Sequence, residues 1–198
     1  MKERKKVNVR MITMTGLFGA LSAVLMMFSF SVPFMPSFIK MDLSELPALI
    51  AAFAMGPLSG AAVCLIKNLI NLTMTTTGGV GEFSNFILGC FFVVPAGWIY
   101  KMNKNKNSAL VGSLIGAVFM AVASVFSNYF VVYPMYSNFI PMDAIIGMYQ
   151  AIYSGADTLL KCLIIFNVPF TLIKGLISVI ITFVIYKHIS PIIKGTAR

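Results

Sequence analysis

A chain of 198 residues that is 59% hydrophobic and 11% charged has too little charge to clothe a soluble surface, and its length suits one bundle rather than several domains. The net charge of +9 does not point to nucleic acid, because the basic residues gather at the edges of apolar runs, as membrane topology requires. Cys64, Cys90 and Cys162 stand alone in apolar stretches, and the one histidine, His188, has no ligand-spaced companions, so neither a disulfide framework nor a metal site is indicated.

A basic tail, residues 1–10, carries Lys2, Arg4, Lys5, Lys6 and Arg10. The first apolar run, about 11–31, follows; it is too long for a signal-peptide core and lacks a small-residue cleavage pattern. No charge occurs from Met11 to Ile39, from Leu46 to Ile66 or from Asn107 to Met142. Apolar runs of about 20 residues match a bilayer core of ~30 Å, and these runs do not alternate as barrel strands would. The class is therefore an all-α integral membrane protein, a single membrane domain over 1–198. Within the first run, Gly16/Ala20 and Gly19/Ala23 form small-xxx-small pairs that admit a second helix, from this chain or another protein.

Three basic clusters fix the span count: the tail, then Lys101, Lys104 and Lys106, then Lys187, Lys194 and Arg198. If all three face the cytoplasm, an even number of spans separates each pair. The middle block before Lys101 must then divide, and Gly56-Pro57 is the natural break. The expected helices are about 11–31, 44–55, 57–74, 82–100, 108–133 and 159–187: a six-transmembrane-helix bundle with N and C termini cytoplasmic. The segment 140–157 reads as an interfacial helix or lid. Asp42, Glu45, Glu82, Asp143 and Asp157 fall in or beside the outer connections.

Charges inside spans are expensive and mark function. Lys174 stands near the middle of the last span, on one face with Asn167, Thr171 and Ser178, at spacings of four, three and four. Pro169 lies in the same helix and frees a backbone carbonyl. The alternative role for Lys174 is an ion pair that only holds helices together. Ser124, Ser127 and Asn128 share a face of the fifth span, where Asn128 meets either a ligand or a neighbouring helix. Lys67 and Asn71 lie one turn apart, with Lys67 reaching the outer surface or pairing with Glu82; Asn85 follows Glu82 by one turn. The first outer connection, 33–43, is apolar and aromatic and suited to covering something. The second, 75–82, is rich in glycine; Gly79 there permits close backbone approach to a ligand, or the loop is simply a tight hairpin.

No phosphate-binding G-x-x-x-x-G-K-[ST] loop, no nucleophile beside a base and no acidic row along a span is present. An embedded enzyme, an ATPase and a cation channel are all poorly supported, and no catalytic or metal residue is expected.

Residues 38–50 (FIKMDLSELPALI), 53–60 (FAMGPLSG), 66–70 (IKNLI), 76–82 (TTGGVGE) and 168–175 (VPFTLIKG) resemble, in that order, the substrate-binding S components of energy-coupling factor (ECF) vitamin transporters, most nearly their riboflavin-specific branch. The resemblance implies six helices and a multi-pass location in a bacterial cell membrane. It implies riboflavin, or a related flavin, bound near the outer face as substrate, with no cofactor. It also implies a transmembrane coupling protein (the T component) and two cytoplasmic ATPases as partners, with Gly16, Gly19, Ala20 and Ala23 docking on the coupling protein. The ligand-binding residues it suggests are Lys174, Asn128, Thr171 and Asn167 at the ring edge, with Glu82, Asn85, Asp42 and Gly79 near the ribityl chain or gate. The family pattern has asparagine three residues before this lysine; here Thr171 stands there, and Asn167, one turn earlier, is its substitute. Rival readings are an S component for thiamine or pantothenate, an embedded enzyme, and an assembly subunit.

Overall fold

A computed structural model describes residues 9–36, 38–75 and 77–194, with side chains as far as Ile185. Lys2, Arg4, Lys5, Lys6 and Arg198 fall outside the described residues, and so do the side chains of Lys187 and Lys194.

Among the described residues the chain is helical apart from one small hairpin. Helix α1 (Val9–Met27) leads to strand β1 (Phe30–Ser31), which pairs antiparallel with β2 (Lys40–Met41). Hydropathy alone carries the first span to residue 31; the structure ends it at Met27 and turns the next residues into the hairpin. Two-residue strands are too short for alternation to reveal them. Helix α2 (Glu45–Met55) and α3 (Pro57–Asn71, extended by a 3₁₀ turn, Leu72–Met74) meet at Gly56. Gly56 has φ +105°, closed to most L side chains, and Pro57 occupies the first turn of α3, where its missing N–H costs nothing. Helix α4 (Val80–Met102) begins behind a left-handed Gly79, φ +89°.

The last two long helices are each interrupted once. Helix α5 (Lys106–Ser127) widens into a π turn, Asn128–Val132, before the short α6 (Tyr133–Tyr136). After α7 (Met142–Gln150), α8 (Leu159–Cys162) widens into a second π turn, Leu163–Asn167, and continues as α9 (Val168–Lys194). In both places a proline, Pro134 or Pro169, stands two residues beyond the π turn. Proline offers no N–H and its ring crowds the carbonyl four residues back, so the helix before it loosens.

Among the described residues, five helical stretches are long and apolar enough to cross a membrane: Val9–Met27, Pro57–Met74, Val80–Met102, Lys106–Tyr136 and Leu159–Ile185. The chain is thus an all-α multi-pass membrane protein. Helix α2 is apolar but has only 11 residues, about 16 Å against a hydrocarbon core of ~30 Å. Its residues Glu45–Phe53 are buried, so it lies inside the bundle. Phe53 packs on Tyr100 near the end of α4, whereas Glu45 approaches Gly89, mid-way along α4. Helix α2 therefore covers about half the depth of the bundle, and the chain before it descends to mid-level to start it.

Small residues set the helix spacing. A methyl group on Gly116 of α5 would sit 2.3 Å from the Phe92 carbonyl oxygen of α4, so the two helices touch backbone to backbone. One apolar core, including Leu49, Val63, Phe92 and Ala117, fills the space among α2, α3, α4, α5 and α9. A second, including Val80, Tyr133, Ile145, Tyr149 and Phe166, lies under the 134–158 connection.

Candidate functional site

The start of α2 gathers charges from four parts of the chain. Asp42 accepts hydrogen bonds from the Ser44 backbone N–H, at 2.9 Å, and from the Ser44 hydroxyl. Lys67, on α3 and 0% exposed, donates to Glu45 Oε1 at 2.8 Å and to Ser44 Oγ at 2.7 Å. Lys174, on α9, lies 2.9 Å from Asp42 Oδ2 and 3.8 Å from Glu45 Oε1. Ser22 of α1 donates to the Ser44 carbonyl. Two lysines and two carboxylates thus cancel at mid-depth, which is how charges survive in a low-dielectric interior. The expected pairing of Lys67 with Glu82 does not occur. Helix α2, inserted beside α3, brings Glu45 closer, and Glu82 instead accepts from Thr75 Oγ1 at 2.9 Å and Thr77 Oγ1 at 3.1 Å.

Above the quartet opens a cavity. Its inner part, about 180 Å³, is bounded by Lys174, Thr171, Asn167 and Phe170 of the last span, by Asn128, Tyr133 and Tyr136 of the fifth, by Ser84 and Asn85 of α4, and by Phe38 and Lys40 of the first connection. Its outer part, about 420 Å³, adds Asp42, Glu82, Asn71, Thr77 and several methionines. The two share Phe38, Lys40, Gly81, Asn85 and Tyr136. Lys174, Asn128, Thr171, Asn167 and Asn85 are thereby brought together at the inner part, and Glu82 and Asp42 at the outer one.

The two π turns explain why both wall asparagines face inward. Asn128 opens the first turn and Asn167 closes the second, and each lines the inner cavity. The extra residue in a π turn shifts helical phase and presents side chains that a regular helix would direct elsewhere. A wall of amides, hydroxyls and aromatic rings suits a flat ligand with polar edges.

Gly79 does not join this set. It lies behind the α3–α4 turn, in a separate apolar groove beside Leu65, Leu69 and Leu72, and serves the turn that its positive φ permits. Gly81, two residues on, borders both parts of the cavity instead. The small-residue pairs of α1 divide in the same way. A methyl group on Gly19 would come within 2.6 Å of Ile66, and Ala23 is buried, so this pair seats α3. Gly16 and Ala20 remain exposed.

Sequence reasoning singled out the first connection, which supplies Phe38 and Lys40, only as a segment, and passed over Tyr133, Tyr136 and Tyr149. The tyrosines had one available signal: Ile145 and Tyr149 are spaced one turn apart on α7, and both are buried. Tyr149 donates to Asn167 Oδ1 at 2.9 Å, and the Tyr133 and Tyr149 hydroxyls are hydrogen-bonded to each other.

With this architecture described, comparison with known proteins decides the family. Residues 10–186 match the family described as "ECF transporter, substrate-specific component". The chain belongs to that family. This S component is 31% identical to the riboflavin transporter RibU of Staphylococcus aureus, over 98% of its own length and 99% of the relative's. It is 28% identical to the riboflavin transporter FmnP of Bacillus subtilis, over 93% and 94% of the two chains. A solved structure described as "Structure and mechanism of the S component of a bacterial ECF transporter" superposes with a TM-score of 0.73 at 30% identity, covering 93% of this chain and 97% of that one. The S component is accordingly a transport protein and not an enzyme.

Proposed function

We propose that this chain is the riboflavin-binding S component of an ECF-type importer in a bacterial cell membrane. It takes riboflavin from the outside, and a transmembrane coupling protein with two cytoplasmic ATPases supplies the energy. The observation that carries this reading is the end-to-end likeness to two proteins named riboflavin transporters. The cavity agrees with it. Riboflavin is uncharged, with a flat ring and donors and acceptors along one edge, and the cavity is balanced: the quartet of Asp42, Glu45, Lys67 and Lys174 sums to zero, and Lys40 and Glu82 add one charge of each sign along its walls. At the cavity floor an anion such as pantothenate or a cation such as thiamine would find the charges of the quartet already paired. Asn128, Asn167, Thr171 and Lys174 read the ring edge in this proposal, Phe38 and Phe170 cover its faces, and Asp42, Glu82 and Asn85 stand toward the ribityl chain.

In this reading α2, with the connection that descends to it, counts as the sixth crossing. Both termini and the 101–106 cluster then face the cytoplasm, as their lysines and arginines favour. Gly16 and Ala20, exposed on α1, supply the docking face for the coupling protein.

The test is optical. The protein purified in mild detergent, given excess riboflavin and then desalted, is expected to be yellow with flavin absorption bands, and to bind neither thiamine nor pantothenate. A protein that stays colourless would overturn the flavin assignment, and uptake of one of the other two vitamins would replace it.

A further inference from the structure

Helix α7 contributes no atom to the inner cavity, yet one of its side chains decides how a cavity residue is turned. Tyr149 is 0% exposed. Its ring is held by Phe38 (centroids 6.0 Å apart, edge-on) and Phe166 (5.2 Å, tilted), so its hydroxyl has little freedom. That hydroxyl donates to Asn167 Oδ1 at 2.9 Å. A hydroxyl has one proton to give. Since Tyr149 gives it to Asn167, the bond between the two tyrosines must use the proton of Tyr133. The relay runs one way, from Tyr133 through Tyr149 to Asn167.

The direction matters because an asparagine side chain is nearly symmetric in shape and opposite in chemistry at its two ends. Unheld, Asn167 could turn either its carbonyl or its amine to a ligand. With Oδ1 taken by Tyr149, the amine is turned away from it; the Tyr133 hydroxyl lies within its reach and takes one of its two N–H protons, which leaves the other for the cavity. We propose that Tyr149 is a positioning residue that fixes the Asn167 amide, so that this wall offers N–H donors and selects ligands with a hydrogen-bond acceptor, a carbonyl or ring nitrogen, opposite it. The proposal rests on the flavin reading above. A site built to donate discriminates against a ligand lacking the acceptor, because its buried N–H is then stranded.

The test uses Tyr149→Phe, which keeps the ring and its aromatic contacts and removes one oxygen. Binding is measured for riboflavin and for four analogues, each with one acceptor weakened: 1-deaza, 5-deaza, 2-thio and 4-thio. In the unaltered protein one analogue is expected to bind about tenfold more weakly than riboflavin or worse. In Tyr149→Phe, riboflavin affinity is expected to fall by roughly three- to tenfold, while the penalty for that analogue shrinks to within about twofold. Adding Tyr149→Phe to Asn167→Ala is expected to change affinity by less than about twofold, because the tyrosine acts through the asparagine. A uniform loss for all five ligands, or no loss, would show that Tyr149 only packs and would overturn the proposal. If Tyr149→Phe cannot be purified intact, Asn167→Asp decides, since it keeps the acceptor for Tyr149 and removes the donor. It should lose at least about tenfold, and riboflavin binding within about twofold would overturn the proposal. An unaltered protein that binds no flavin overturns the ligand reading and the acceptor assignment together; flavin bound with unchanged discrimination in the variant overturns the Tyr149 role alone.

Discussion

Lys174 shows how one residue can answer two questions at once. Its position in mid-span marked it as a ligand contact, with a structural ion pair as the alternative. The structure gives it both settings: it borders the cavity, and it lies 2.9 Å from Asp42. The two roles separate by mutation. Lys174→Ala strands a buried carboxylate and is expected to destabilise the protein by about 3–5 kcal/mol. Adding Asp42→Asn removes the stranded charge and should restore much of that stability. Thermal unfolding in detergent without ligand measures both. If the double variant recovers stability but binds riboflavin far more weakly than Asp42→Asn alone, Lys174 touches ligand; if the two bind alike, the lysine serves only the pair. Lys174 was legible because a lone charge in an apolar run is conspicuous. Its partner was not, because Asp42 stands in a connection that hydropathy places outside, and only the descent of residues 42–45 to mid-level brings them together. Neither setting expected for Lys67, the outer surface or a pair with Glu82, is the one found, for the same reason.

At the scale of elements, the α2–α3 break was readable because Gly56 and Pro57 each carry a local conformational rule that tertiary packing does not override. The π turns were half readable. Pro169 announced a disturbance and a freed carbonyl, but the sequence does not say whether a helix answers proline by kinking, breaking or widening. Here it widens, twice, and each time an asparagine lies within the wider turn. Replacing Pro169 with alanine restores an N–H and removes the ring clash, so the turn can relax toward regular α-helix and rotate Asn167 away. Pro169→Ala is therefore expected to leave helix content by circular dichroism unchanged, and to weaken riboflavin binding by about tenfold, if the relaxation withdraws one hydrogen bond worth about 1–1.5 kcal/mol. Unchanged affinity would mean that packing, rather than proline, keeps the turn wide. The β hairpin had no comparable local signature, and the inward face of α7 had only the one-turn spacing of Ile145 and Tyr149; both exist because of what they pack against.

Over the whole molecule, lipid and protein divide the apolar surface between them. Large side chains such as Leu17, Phe119, Phe126, Ile180 and Val184 are exposed on the long helices, as residues meeting acyl chains should be, while Glu45–Phe53 of α2 are buried. The overall helix pattern was legible because the bilayer imposes a length and a composition that the chain must display openly. The cavity lining was legible in its polar residues and in the aromatic first connection, but not in its tyrosines, since a tyrosine in an apolar run looks the same whether it faces lipid, core or cavity.

The balanced quartet carries an electrical consequence. A membrane potential does work only on net charge displaced across it, about 2.3 kcal/mol per elementary charge per 100 mV. Asp42, Glu45, Lys67 and Lys174 together sum to zero, and a neutral vitamin adds nothing. Riboflavin affinity in sealed proteoliposomes, followed by flavin fluorescence, is thus expected to stay within about twofold when a potassium gradient imposes about 100 mV. A shift of tenfold would mean that a proton enters or leaves the quartet with the vitamin, and binding would then be tied to voltage.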